Sequence, residues 1–596
     1  MERRRMNMAM RSARYHSGRI EPSAATLLAL SIVLFLSGLS CSKPRAADMD
    51  RGVDEAADLV IVGGRVWTGV EPGAPSLGAT EPTAVAIRGD RIVGVGSDAR
   101  MRRFLGRGTR LIDARARRVI PGITDSHTHI VSGGFQLDHL NLRDVRDRNQ
   151  FVNAVGVRAR VKRPGEWIVG GRWSVESWAR PETPDKSWID ALTPDVPVFL
   201  NRMDGHSALV NSAALRAAGI DANGPPDPKG GEIVRDPHTG EPTGILTESA
   251  MGLASGRIPE PSPNERYQAL LRAMRYANTL GITSVHDMCE LADLETFRRA
   301  QREASQSVRI TAYLSVDDWT AYVDRIAAFD LNSDMVRLAG LKGYMDGSMG
   351  SRTAYMHDAY SDASAGALHP RGMLTPMADP PESFQTVVAV ADARGLQLAV
   401  HAIGDDANHL LLDVYASAIE RNGRRDARHR DEHAQHLIVS DIPRFAQLGV
   451  VASMQPFHKA DDGRYAEIAI GRDRLPGSYA FRQLVDNGAL LIFGSDWPVV
   501  TLNPFAGIAA AVTARTLAGD VWLPSHSLTR AEALRAYTAA PARAIHMENK
   551  LGTIEVGKLA DIVVLADDPF AVPDDGLADV RVAITMIGGR IVYESE

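Results

Sequence analysis

The run DSHTH places His127 and His129 two residues apart. On a strand, residues at this spacing face the same way, so both imidazoles can reach one metal ion. Alone, the spacing equally suits a hydrogen-bonded pair of core histidines. Three further runs change the weight. VHAIGD carries His401, DEHAQH carries His433 and GSDWPV carries Asp496, each near the C-terminal end of its own expected strand. Imidazole nitrogens with a carboxylate oxygen suit a divalent ion such as zinc, with manganese, iron or cobalt also admitted. Lys342, in LKGYMDGSMGSR, directly follows the apolar run MVRLAG. An ammonium in a buried strand must be paired or lose its charge. An ion pair with Asp346 or Asp496 is one account of it.

The elements that would position these residues alternate short apolar strands with helical stretches. RVIPGITDSHTH, GITSVHDM, VRITAYLSV, MVRLAGLKGYMDG, LQLAVHAIG, RHRDEHAQHL, GVVASMQPFH and LLIFGSDWPV read as eight strands. Segments such as NERYQALLRAMRYANTLG and SFQTVVAVADARG read as helices between them. The pattern predicts an α/β fold, a (β/α)8 barrel over residues 121–548, whose chemistry lies at the C-terminal ends of the strands. About 140 residues separate the first two strands. A structureless loop of that length is unusual, so residues 145–268 are expected to form an insertion capping the active site. The chain ends differ in texture. DLVIVGGRVWTG, AVAIRGDRIVGVG and TRLIDARARRVI alternate apolar and polar residues between tight turns, as do GTIEVGKLADIVVLADDP and AITMIGGRIVYE. Residues 57–120 and 549–596 are expected to pair into one small β-sandwich.

The runs PGITDSHTH, LKGYMDGSMGSRTA, VHAIGDDA, RDEHAQH, MQPFH, FGSDWPV and GTIEVGKLADIVVL together resemble the amidohydrolase superfamily. The resemblance is to the amidohydrolase 3 group, which includes YtcJ-like proteins and N-substituted formamide deformylases, and it runs from about Ala57 to the end. It implies a metal-bearing barrel with a sandwich built from both chain ends. It also implies two metal ions, expected to be zinc. His127 and His129 would hold the more buried ion, with Asp496 touching it, and His401 and His433 would hold the second. Lys342 would bridge the two. A charged lysine has donors and no acceptor, so bridging needs the neutral amine to add carbon dioxide and become a carbamate. The implied reaction is attack of metal-activated hydroxide on a carbonyl carbon, with Asp496 taking the water's proton and passing it to the leaving nitrogen. The expected activity is hydrolysis of a non-peptide C–N bond, in an amide or N-substituted formamide of a small molecule. Ester or lactone hydrolysis on the same site is the nearest rival, and an inactive surface binding protein a more distant one.

His206, His286, Trp173, Arg352 and His458 are candidates to touch substrate. Each has an ordinary alternative: a structural histidine, a core aromatic, or for Arg352 the fastening of its loop. Trp167 and Trp178 give the insertion further aromatic character, and His436 is expected at the surface.

The chain has 596 residues, a formal net charge of −6 and no long basic run outside its first residues, so nucleic acid is not an expected partner. Two cysteines, Cys41 and Cys289, exclude a disulfide framework. The N-terminus has a basic stretch, the apolar AATLLALSIVLFLSGLS, then CSKPRAAD. This order describes a secretory signal over residues 1–40, followed by a 41–56 linker. Cys41 directly after SGLS resembles the lipidated first residue of a bacterial lipoprotein. The expectation is export to the cell envelope, with membrane contact through that anchor or the signal segment.

Overall fold

The computed structural model describes residues 56–71, 80–175, 178, 180–203, 206–316, 332–364 and 366–595. The signal segment and Cys41 lie outside the described residues. The labels β1–β8 are given to the barrel strands: β1 Ile123–Thr128, β2 Ile282–Cys289, β3 Arg309–Ser315, β4 Val336–Tyr344, β5 Gln397–Ala402, β6 Arg430–His433, β7 Val451–Met454 and β8 Leu490–Phe493. They form one parallel sheet in that order. The sheet closes where Thr128 bridges Trp497, with the Asp496 amide donating to the His127 carbonyl at 2.7 Å and the His129 amide to the Trp497 carbonyl at 2.8 Å. All eight strands foreseen in the sequence are present. The first starts later than expected: RVIP (Arg118–Pro121) parts from β1 at Gly122 and pairs in a separate sheet.

Strands covered on both faces read as nearly continuous apolar runs, and every residue of β2 is buried. On β4 the period of two sorts the side chains. Gly343 faces outward, where a Cβ would lie 2.9 Å from the Phe384 ring of the helix Pro381–Ala393. Lys342 and Tyr344 share the other, inward face. The helix Pro263–Thr279 starts from a capping box of Ser262 and Glu265 with Pro263 in its first turn.

The chain ends build two sheets around one core. Leu59–Val62, Ala84–Arg88, Arg91–Gly96 and Arg110–Asp113 form the first. Arg65–Val66 and Arg118–Pro121 join Ile562–Leu565, Val582–Ile587 and Arg590–Glu594 in the second. Ile61, Val85, Val119, Ile562 and Met586 are among the residues between them. Asp561 of this unit makes a two-pronged, buried ion pair with Arg309 at the start of β3 (2.7 and 2.8 Å). The sandwich is thus fastened at the N-terminal ends of the barrel strands, away from the ends that carry His127 and His433.

Between β1 and β2 lies a six-stranded sheet ordered Gly231–Arg235, Pro242–Glu248, Ser207–Val210, Val198–Arg202, Ile168–Trp173, Leu140–Asn141. Val198 and Leu200 pack on one face with Phe151, Trp173 and Trp178, whereas Phe199 packs on the other with Leu215 and Leu246. Its edge strand precedes the expected boundary at residue 145. The expected boundary at residue 268 falls within the helix Pro263–Thr279, which packs on the helix Ile130–Gln136 that follows β1, where a Cβ on Gly134 would lie 2.0 Å from the Ala269 carbonyl.

Candidate metal centre

The C-terminal mouth of the barrel brings together His127 from β1, His433 from β6 and Asp496 from the turn after β8. One ligand atom from each lies within 4.8 Å of the others, and all three residues are buried. His129 joins them, its Nε2 3.3 Å from Asp496 Oδ1, as does His401, whose ring centroid is 4.5 Å from that of His433. Lys342 Nζ is 3.4 Å from His127 Nε2 and 5.1 Å from the Tyr344 ring centroid. No described carboxylate forms an ion pair with Lys342. Asp346 instead accepts the amides of Tyr355, Ile403 and Gly404 at 2.8–3.0 Å, so the simple Lys342–Asp346 pair is not formed.

Two ligand positions depend on unusual backbone. Along β6, Arg430 and Glu432 point into the barrel. The alternation stops at His433, whose φ is +81°, and its ring then meets His127 at 4.8 Å between centroids. Asp496 has a φ of +60°. Left-handed backbone in non-glycine residues is costly and clusters at functional sites.

Each imidazole is oriented by a partner for its outer nitrogen. His127 Nδ1 donates to Glu432 Oε2 at 2.5 Å, His129 Nδ1 to the Met288 carbonyl at 2.9 Å, His401 Nε2 to the Gly347 carbonyl at 3.0 Å and His433 Nδ1 to Gln455 Oε1 at 2.8 Å. An acceptor at one ring nitrogen fixes the proton there and leaves the other nitrogen's lone pair facing inward. Burial, with the Lys342 charge, pushes His127 down to about 4 and His401 to about 3, and burial holds His433 well below its usual value. These rings are neutral at pH 7, as metal ligation requires. Burial would raise Asp496, but His127, His129, His433 and His458 outweigh it and keep the group a carboxylate. Burial pushes Lys342 down to about 8, which makes the neutral amine accessible. The donor set therefore fits a divalent ion with nitrogen and oxygen ligands.

Beneath the ligands lies a polar layer that the sequence reading missed. Arg430 is fully buried, pairs with Glu432 at 2.6 Å, and donates to His286 Nδ1, Tyr313, Ser453 and the Ser126 carbonyl. Ser453 also donates to Glu432 Oε2 at 2.7 Å. Asp125 Oδ1 accepts the amides of His127 and Ser495, and Asp287 Oδ1 accepts that of Ile130. The signal was present in RDEH, where charged residues at alternate positions of a strand must be buried together.

The softer candidates divide. His458 stacks on His433 at 6.2 Å, with Nε2 buried, unpartnered and 4.0 Å from Asp496 Oδ2. It belongs to the site. His286 is fully buried against Arg430, a structural role. Trp173 is buried in the insertion, donating from Nε1 to the Leu200 carbonyl, and Trp178 lies in the same core. Trp167 is half-buried against the core on the opposite face. Arg352 holds its loop through Asp362 and the Met349 carbonyl. His206 is exposed and pairs with Glu248 at 2.8 Å. His436 is not at the surface as expected: it is buried beside Ser478 at 2.9 Å.

A family model described as "Amidohydrolase family" matches residues 110–593. "Protein LONG AFTER FAR-RED 3" of Arabidopsis thaliana is 36% identical, covering 96% of this chain and 97% of that one. The N-substituted formamide deformylase of Arthrobacter pascens is 27% identical, covering 86% of this chain and 95% of that protein. The crystal structure of an uncharacterized metal-dependent hydrolase from Pyrococcus furiosus superposes with a TM-score of 0.69 at 26% identity, over 86% of this chain and 99% of the other. A barrel mouth furnished with this ligand set, on a chain matched over most of its length, is that of an enzyme: the chain belongs to the amidohydrolase family.

Proposed function

We propose that this enzyme hydrolyses a non-peptide C–N bond, an amide or N-substituted formamide of a small molecule. The observation that carries the reading is the convergence of His127, His433 and Asp496 within 4.8 Å, with Lys342 Nζ 3.4 Å from His127. His129 and His401 would complete the ligand set for two zinc ions, with Lys342, as a carbamate, supplying further oxygen ligands. Such a metal pair supplies Lewis acidity and a water of lowered pKa. Asp496 does the proton work. Its carboxylate accepts the proton released as water adds to the carbonyl carbon, and returns it to the nitrogen as the C–N bond breaks. Its Oδ1 lies beside His129 Nε2 and His127 Nε2, at 3.3 and 3.6 Å. His458 Nε2, free of any described partner, donates to or accepts from the substrate. The name of the formamide deformylase relative supports an amide-like substrate.

The test is metal quantification on purified protein together with a panel of amides, formamides and esters. At least one metal equivalent per chain, with turnover of amides or formamides, is expected. Metal-loaded protein that turns over only esters, or metal-free protein that turns over nothing, overturns the reading. The same reading places the enzyme in a bacterial cell envelope, anchored through lipid on Cys41. Cys41→Ser should then abolish incorporation of labelled fatty acid.

A further inference from the structure

A cavity of about 760 Å³ lies between the insertion and the short helix Ile130–Gln136. That volume is within the usual range for small-molecule sites. Among its lining residues are Gln136, His139, Arg143, Arg172, Asn201 and Arg202, and none of the described lining residues is a carboxylate. Burial lowers His139, so the positive charge there at neutral pH comes from the arginines. The Arg202 guanidinium lies 5.9 Å from the centroid of the Trp173 ring.

The floor is bare backbone in the left-handed region that favours glycine. Gly170, Gly171 and Arg172 have φ of +135°, +113° and +61°. A Cβ on Gly170 would lie 2.3 Å from the Leu140 carbonyl oxygen, and one on Gly171 2.3 Å from that of Asn201. Side chains are excluded there, while Arg172 accepts a left-handed backbone that glycine would adopt more cheaply.

The cavity and the metal centre share two elements. His129 is the N-cap of the helix that ends at Gln136, and seven helical residues span about 10 Å. Gln136 Nε2 donates to the Pro498 carbonyl at 3.1 Å, in the turn that carries Asp496.

We propose that this cavity is an anion-recognition site for a carboxylate- or phosphate-bearing small molecule. Guanidinium groups bind both anions in forked geometry, and the amides of Gln136 and Asn201 add neutral donors. The anion is either the acidic end of the enzyme's own substrate or a separate ligand. The first source rests on the function proposed above; the binding itself does not.

Calorimetric titration of metal-loaded protein with succinate and with inorganic phosphate tests binding. Arg143→Ala and Arg172→Gly, the latter relieving rather than adding strain at φ +61°, should each weaken it at least tenfold with unchanged metal content. A wild type that binds neither anion, or variants that bind as well as wild type, overturns the proposal. N-formylphenylalanine and N-(2-phenylethyl)formamide, which differ by one carboxylate, then distinguish the sources. A substrate subsite gives a kcat/KM ratio favouring the acid at least tenfold, falling toward unity in both variants. Variant-sensitive succinate or phosphate binding without such a ratio assigns the site to a separate ligand. Turnover of neither compound, with variant-sensitive binding intact, tells against the proposed function and leaves the anion site standing.

Discussion

The amide of Asp496 donates to the carbonyl of His127 at 2.7 Å, and this bond lies on the seam that closes the barrel. A second tie runs through Asp125, whose Oδ1 accepts the amides of both His127 and Ser495. His127 and Asp496 are thus held by the contacts that join the last strand to the first. Closing the barrel and assembling the site are one event.

Asp496→Asn should lower kcat by about 10²–10⁴, the range for losing a positioned acid–base group, while metal content stays near wild type. Paired measurements of turnover and bound metal check this. Loss of metal in step with loss of rate would reduce Asp496 to a ligand.

Glu432→Gln should weaken metal binding by about 10–100-fold, because the carboxylate orients His127 and raises its basicity. Competition against a chromogenic chelator measures the affinity directly. An unchanged affinity would show that Arg430 and Ser453 alone hold the His127 environment together.

Lys342→Ala should lose both metal and activity, and short carboxylic acids such as acetate or propionate should restore part of each. The physical basis is the position of Nζ, 3.4 Å from His127 Nε2, and a pKa pushed down by burial to about 8. Metal content equal to wild type in this variant would return Lys342 to a purely structural role.

Asp392 gives a pH signature remote from the metal centre. Burial would raise its pKa, but hydrogen bonds from His429 and Asn422 and the Arg425 charge hold it well below the usual range. A neutral His429 suffices, since its Nδ1 accepts the Leu398 amide and its Nε2 donates to Asp392 at 3.0 Å. A carboxylate with a depressed folded pKa contributes stability that is complete above its unfolded value, about 4, and is lost as pH falls further. Asp392→Asn should cost about 1.5–3 kcal/mol at pH 7, and the gap from wild type should narrow below about pH 4. Denaturant titrations at pH 7 and pH 3.5 check both halves.

The sequence by itself determined the barrel and its eight strands, and it named the residues that converge at the candidate metal centre. A parallel strand buried on both faces leaves a long apolar signature, and a histidine or aspartate at its end stands out against that background. His401, Asp496 and Lys342 are legible for this reason, whereas His127 and His433 lie at or beside the ends of the polar strands ITDSHT and RDEH and are legible from their place in the strand order. What only the tertiary structure decided was how those side chains meet. His433 reaches the site through a left-handed backbone at φ +81°, which a period of two does not foretell. His436, expected at the surface, is buried because the segment around Ser478 covers it. Arg430 and Glu432 pair 2.6 Å apart inside the barrel, and their link to His127 joins positions 305 residues apart in the chain. Local pattern records which face a residue takes within its own element. It does not record which distant element will lie opposite, and the site is made of such oppositions.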